Sequence, residues 1–281
     1  VLYMIIHSDW HIHCDASYDS TLTLSEIADA AEEYGFTKMG ITDHLNLNDQ
    51  KYWGCIRDSA AKVSEFQKTH PNFVLGVELT PISQPMYDYI AIHGSREGYT
   101  GPQSGTPYPI NLPATKDELT ALGIRYAIGA SHWRIDCAGA RELPLDMDEN
   151  IREWYRQQLW MACDERVTVL GHPWYHGKRL WYDDFSRIPR SMNLDIGAAL
   201  KEHGKYIECA GGFFRSPHAS EKFKHQYAEF LREMFEMGIP VTYSSDSHNS
   251  YADKHVDAEP YLLRAGFRDG DIGEISEKDL W

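Results

Sequence analysis

Six short apolar runs in this chain each lead to an acid or an imidazole, and that recurrence limits the possible folds more than any other feature. Residues 2–6 lead to Asp9-Trp10-His11-Ile12-His13, residues 36–42 to Asp43-His44, and residues 73–77 to Glu78. Residues 125–130 lead to Ser131-His132, residues 167–170 to Gly171-His172, and residues 240–243 to Ser245-Asp246-Ser247-His248. A short apolar run bounded by turn residues predicts a buried strand. Ligand-type side chains at the ends of successive strands predict one site assembled from many strands. In an extended segment, residues two apart point the same way, so His11 and His13 can reach a single ion.

Helical patterns separate the runs. Thr23-x-x-Glu26 and Thr115-x-x-Glu118 are capping boxes. Leu24, Ile27, Ala28 and Ala31 follow at helical spacing, and Gly35 supplies a stop. Further helices are predicted over 58–67, 148–164, 194–201 and 221–237, and a further strand over 206–209. Residues 87–93, ending at His93, predict an inserted strand within an insertion of about 81–113 that is rich in Gly and Pro. Seven βα repeats remain, which predicts an α/β fold: a single domain over 1–281 built as a distorted (β/α)7 TIM-like barrel. An open doubly wound sheet would not bring the first and last strand ends together.

Composition excludes more than it identifies. A net charge of −15 over 281 residues argues against a broad nucleic-acid surface. A small anionic substrate stays possible, because bound cations would reverse the charge locally. Five scattered cysteines without a CxxC fit a reducing compartment. No apolar run approaches a membrane span and no signal-type stretch opens the chain, so a cytoplasmic location is expected. Oligomeric state is not legible.

Taken in order, Asp9-x-His11-x-His13, Thr42-Asp43-His44, Gly76-x-Glu78, Gly129-Ala130-Ser131-His132, Gly171-His172-Pro173 and Ser245-Asp246-x-His248 resemble the successive motifs of the polymerase and histidinol phosphatase (PHP) family. The resemblance spans nearly the whole chain. It implies a metal-dependent phosphoesterase with up to three divalent ions, commonly zinc, manganese or iron. It also implies that His11, His13, Glu78 and Asp246 hold one ion, that Glu78 bridges to a second held by His132 and His172, and that His44 and His248 hold a third. Asp19 stands where the family often has a histidine, which keeps a ligand and changes its charge. A hydroxide bridging the ions would be the nucleophile, with Glu78, Asp246 and His248 as the catalytic residues. Arg215, after Gly211-Gly212-Phe213-Phe214, resembles a phosphate-gripping arginine, and the implied substrate is a small phosphomonoester such as histidinol phosphate. A nucleotide phosphatase or short-oligonucleotide exonuclease is the alternative within the family. An amidohydrolase would want a bridging lysine where Glu78 stands, and a lone Asp on the last strand.

The residues themselves agree with this chemistry. Imidazoles and carboxylates suit transition metals, and closely spaced ions lower the pKa of a shared water. Asp9 and Asp43 are expected to orient ligands rather than to bind. Arg134 is a second candidate for substrate binding, and Lys178 and Arg179 are weaker ones. Trp10, Trp133 and Trp174 adjoin ligands and either pack against helices or wall an aromatic pocket. His218 and His255 are expected in loops near the same rim.

Overall fold

The computed structural model describes residues 4–84, 87, 109–132, 146–251 and 254–281. Among them lie nine strands: β1 (Ser8–Ile12), β2 (Lys38–Ile41), β3 (His44–Leu45), β4 (Phe73–Leu75), β5 (Val77–Leu79), β6 (Ala127–Gly129), β7 (Val169–Leu170), β8 (Tyr206–Ala210) and β9 (Val241–Ser244). All ladders are parallel, in the orders β1-β2-β4 and β3-β5-β6-β7-β8-β9. β2 and β3 are halves of one extended stretch broken at Thr42-Asp43, and β4 and β5 are halves of another broken at Gly76. Backbone bonds from Gly76 N to Ile41 O (2.8 Å) and from Glu78 N to Asp43 O (3.2 Å) carry the pairing across the break. Glycine is required there, since a Cβ would lie 2.5 Å from the Tyr126 ring. The result is a ring of seven staves, the distorted barrel predicted from the repeats. Its seam is thin. β1 meets the residues that follow β9 through a bridge between Ile12 and Ser247, with Asp246 N on His11 O (2.9 Å) and His13 N on Ser247 O (3.0 Å).

Eight helices accompany the staves among the described residues: α1 (Leu24–Tyr34), α2 (Gln50–Phe66), α3 (Lys116–Thr120), α4 (Met147–Cys163), α5 (Arg190–Glu202), α6 (Gly211–Arg215), α7 (Glu221–Glu236) and α8 (Lys254–Ala265). Both capping boxes form, and Gly35 ends α1 in the left-handed region at φ 68°. α2 starts eight residues before the expected 58, because the Asp49 carboxylate accepts the Tyr52 amide (3.0 Å) and caps the helix there. α6 and α8 have no counterpart in the sequence reading. Tyr87, where an inserted strand was expected to begin, is helical, with its amide on Ser83 O (3.2 Å). His93 and most of the 81–113 insertion lie outside the described residues, as do Trp133 and Arg134.

The core has two parts. One, between staves and helices, includes Ile27, Ile41, Val63, Leu119, Leu200 and Leu231. The other fills the barrel: Trp10, Val74, Tyr126, Ile128, Val169 and Tyr206, plugged by Ile275 and Leu280 from the C-terminal stretch. β1 carries an extra residue between Asp9 and Ile12 relative to β2. Such a bulge reverses which way the following side chains point. Trp10 therefore enters the barrel while Ile12, two residues on, joins the outer core. The simple period-two expectation fails within β1, yet His11 and His13 still converge.

Candidate metal centre

The staves deliver their ligand-type side chains to one point above the apolar plug. Glu78, fully buried on β5, is the hub. Its Oε2 lies 3.4 Å from His11 Nε2, 3.4 Å from His13 Nε2 and 2.6 Å from His44 Nδ1. Its Oε1 lies 3.0 Å from His172 Nε2 and 3.3 Å from His132 Nε2. Asp246 Oδ1 is 3.2 Å from His13 Nε2 and 3.6 Å from His248 Nδ1. Asp19 Oδ2 closes the far side, 3.3 Å from His44 Nε2 and 3.8 Å from His248 Nε2. All nine residues that the resemblance proposes as ligands thus meet in one cluster.

Three groups within it have ligand atoms close enough to share an ion: His11, His13 and Asp246; His44, Glu78 and His132; and His13, His44 and His248. The grouping differs from the implied one in that His13 and His44 each stand in two groups. Four buried atoms of the cluster, His13 Nδ1, His44 Nδ1, His172 Nδ1 and Glu78 Oε2, make no well-directed hydrogen bond among the described residues. A buried carboxylate oxygen crowded by three imidazole nitrogens is costly unless protons or a cation balance its charge. The donor set, imidazole nitrogen with carboxylate oxygen, suits zinc, manganese or iron.

Without cations, protons carry the balancing charge. Burial opposes charge on His11, but the carboxylates of Glu208 and Glu78 overcome it and hold the pKa well above the ordinary value. Glu78 and Asp19 likewise overcome burial at His44 and raise it to about 10. At His13 burial prevails, reinforced by His44, and the pKa falls to about 3. Glu78 and Asp246 stay far below the carboxylate range despite burial, because imidazoles surround them. Ions entering this site displace protons, so their affinity rises with pH.

The bases of the ligands are also held. Asp9 accepts hydrogen bonds from His11 N (3.2 Å), Ser245 N (3.1 Å) and Tyr251 Oη (2.7 Å), which ties β1 to the end of β9. Asp43 accepts from Cys14 N (2.8 Å) and Cys14 Sγ (3.0 Å). Thr80 Oγ1 is 2.8 Å from His132 Nδ1. Glu208, absent from the sequence-based candidates, lies with Oε1 2.7 Å from His11 Nδ1. Its only signal was an acid in the middle of the apolar run Tyr206-Ile207-Glu208-Cys209.

A PHP domain model matches residues 9–255. The chain belongs to the PHP domain family. Solved structures share its fold. The histidinol phosphate phosphatase of Lactococcus lactis subsp. lactis Il1403, complexed with zinc, L-histidinol and phosphate, is 17% identical with a TM-score of 0.68 over 98% of each chain. A Listeria monocytogenes protein named as a histidinol phosphatase is 13% identical with a TM-score of 0.60, over 86% of this chain and 95% of its own. No curated protein matches the chain.

Beside the cluster, the PHP domain opens a cavity of about 360 Å3 that has His172 and Asp246 in common with it. Arg179, Arg215, Lys254 and His218 line it, with Tyr175, Tyr182 and Phe213. Arg215 ends α6 and pairs with Asp257 of α8 (2.5 Å). Trp174, a candidate for the pocket wall, is instead buried in the core. Its Nε1 donates to Asn193 Oδ1 (2.8 Å) and its ring packs edge-on to Trp181, 6.2 Å between centroids. The next residue, Tyr175, takes the wall position, its ring 5.1 Å from that of His172. His255 is buried in α8 against Tyr34 and Phe36 rather than in a rim loop. No helix among the described residues is long and apolar enough to cross a membrane.

Proposed function

We propose that this PHP domain is a metal-dependent phosphomonoesterase of small phosphorylated metabolites, with histidinol phosphate the first substrate to test. The observation that carries this reading is one cluster of six imidazoles and three carboxylates, five of the imidazoles on Glu78, beside a cavity walled by Arg179 and Arg215. The Lactococcus lactis relative, solved with zinc, histidinol and phosphate, supports it. We assign His11, His13, Glu78 and Asp246 to one ion, Glu78, His132 and His172 to a second, and Asp19, His44 and His248 to a third. Bound ions would supply charge neutralisation for a phosphate and an acidified water as nucleophile.

The chain's own groups do the rest. His172 and Asp246 belong to both cluster and cavity, so a phosphate there has the ion ligands on one side and the arginines on the other. A guanidinium donates paired hydrogen bonds to non-bridging oxygens and favours a terminal dianion over a diester. Tyr175 and Phe213 offer apolar surface to the alcohol portion.

The test compares a phosphomonoester with its diester on zinc- or manganese-loaded protein. Monoester hydrolysis that a chelator abolishes and the metal restores is expected. Faster cleavage of the diester would shift the reading to the exonuclease alternative, and no hydrolysis of either by fully loaded protein would end it.

A further inference from the structure

We infer that Glu208 is a positioning residue that sets two ion ligands at once, His11 through its ring and His172 through its backbone; this rests on the proposed metal-dependent function. Glu208 comes from β8, the stave whose end supplies none of the proposed ligands, and it is 1% exposed. Its Oε1 meets His11 Nδ1 at 2.7 Å, and its Oε2 accepts the His172 amide. His11 stands on β1 and His172 follows β7, so one carboxylate ties together two staves that are not neighbours.

A carboxylate offers only acceptors. With an ion on Nε2, the one proton left on His11 must therefore sit on Nδ1, opposite Glu208 Oε1. That leaves Nε2 for the cluster, where it lies 3.1 Å from His13 Nε2 and 3.4 Å from Glu78 Oε2. With the other tautomer, His11 would turn an N–H towards the ion it is meant to bind. At His172 the problem is the backbone. Its φ is 22°, a strained value for a residue with a side chain, and such strain persists only where surrounding contacts hold it. Glu208 Oε2 holds it by the amide. Among the described residues no lysine or arginine forms a salt bridge with Glu208; its closest charged partner is the ligand His11.

Glutamine is nearly isosteric but cannot do both tasks. Its amide nitrogen is a donor, and it would face either the His11 Nδ1–H or the His172 N–H, both donors themselves. Glu208→Gln should therefore fold but lose one of the two bonds. Disturbing such supporting partners weakens metal affinity by roughly ten- to a hundredfold.

The experiment titrates zinc into chelator-stripped wild type and Glu208→Gln and reads stoichiometry and affinity directly, without turnover. In parallel, 15N-histidine spectra of zinc-loaded wild type report which His11 nitrogen is protonated. Zinc affinity reduced by roughly ten- to a hundredfold in the variant, together with a hydrogen-bonded Nδ1–H on His11 in the wild type, is the expected result. Equal affinity and stoichiometry in a folded variant would overturn the positioning role and leave the phosphatase reading standing. A wild type that takes up no zinc, manganese or iron would overturn both. If Glu208→Gln does not fold, the wild-type spectrum decides: His11 unprotonated at Nδ1 rejects the inference, and protonated at Nδ1 with its proton shielded from exchange supports it.

Discussion

The two ends of the barrel handle difficult backbone in opposite ways. Where helices return to strands, at the amino end, left-handed residues are glycines: Gly35, Gly123, Gly204 and Gly238. They need no support, because glycine adopts that conformation without steric cost. Where strands run out, at the carboxyl end, the left-handed residues carry side chains: His172, Trp174, Arg179 and Asp246. Three of these line the cavity or the ligand cluster, and the fourth is locked into the core beside them. The interiors differ in the same sense. The amino end is an apolar plug of Trp10, Tyr126, Tyr206, Ile275 and Leu280, and the carboxyl end is a knot of unsatisfied nitrogen and oxygen. One end is made to be stable on its own, whereas the other is held in a conformation that only its neighbours and its ions justify.

If this division is right, substitutions at the two ends should separate turnover from stability. Glu78→Gln should have the largest effect on turnover. It keeps shape but removes the charge at the hub, and a loss of at least one ion with roughly a hundredfold or greater fall in rate is expected; metal analysis alongside kinetics checks it. Arg215→Ala comes next. A charge-assisted contact to phosphate is worth about 1.5–3 kcal/mol, so monoester kcat/KM should fall by about ten- to a hundredfold while diester rates move less. Asp19→Ala should lower the ion count by about one, whereas Asp15→Ala, whose carboxylate pairs with Lys62 (3.3 Å) away from the cluster, should leave it unchanged. Equal counts in the two variants would remove Asp19 from the ligand set. Leu280→Ala should have the least effect on turnover per folded molecule. It opens the plug, and urea unfolding should show a loss of about 2 kcal/mol or more, as truncating a buried leucine does. Reduced kcat in this last variant would mean the plug also shapes the cluster.

What was legible in the sequence follows the same divide. Ligand-type residues at strand ends stood out because acids and imidazoles interrupt apolar runs there, and their order carried the fold with them. Glycine stops and capping boxes gave the helix ends, since both act through neighbours in sequence. Side-chain direction was less legible. The β1 bulge turns Trp10 inward, and nothing in Asp9-Trp10-His11 announces it. Trp174 follows a ligand as Tyr175 does, but only the left-handed turn at 172–174 decides which ring faces the cavity. Glu208 is hard to see in the sequence because its stave ends on Cys209-Ala210-Gly211 and shows no ligand of its own. Its partners lie 197 and 36 residues away.

The thin seam between β1 and β9 has a consequence for how the molecule comes together. Asp9 and Ser245 are 236 residues apart, so this contact closes nearly the longest loop the chain can make. Long-range closure is slow, because chain entropy is lost before the contact rewards it. The β1–β9 joint should therefore form late and open first, and its few amide protons should exchange sooner than those of the β8–β9 ladder. His11 and His13 lie on one side of that joint and Asp246 on the other. An ion among them would act as a clasp, converting the last step of folding into a step that depends on metal concentration.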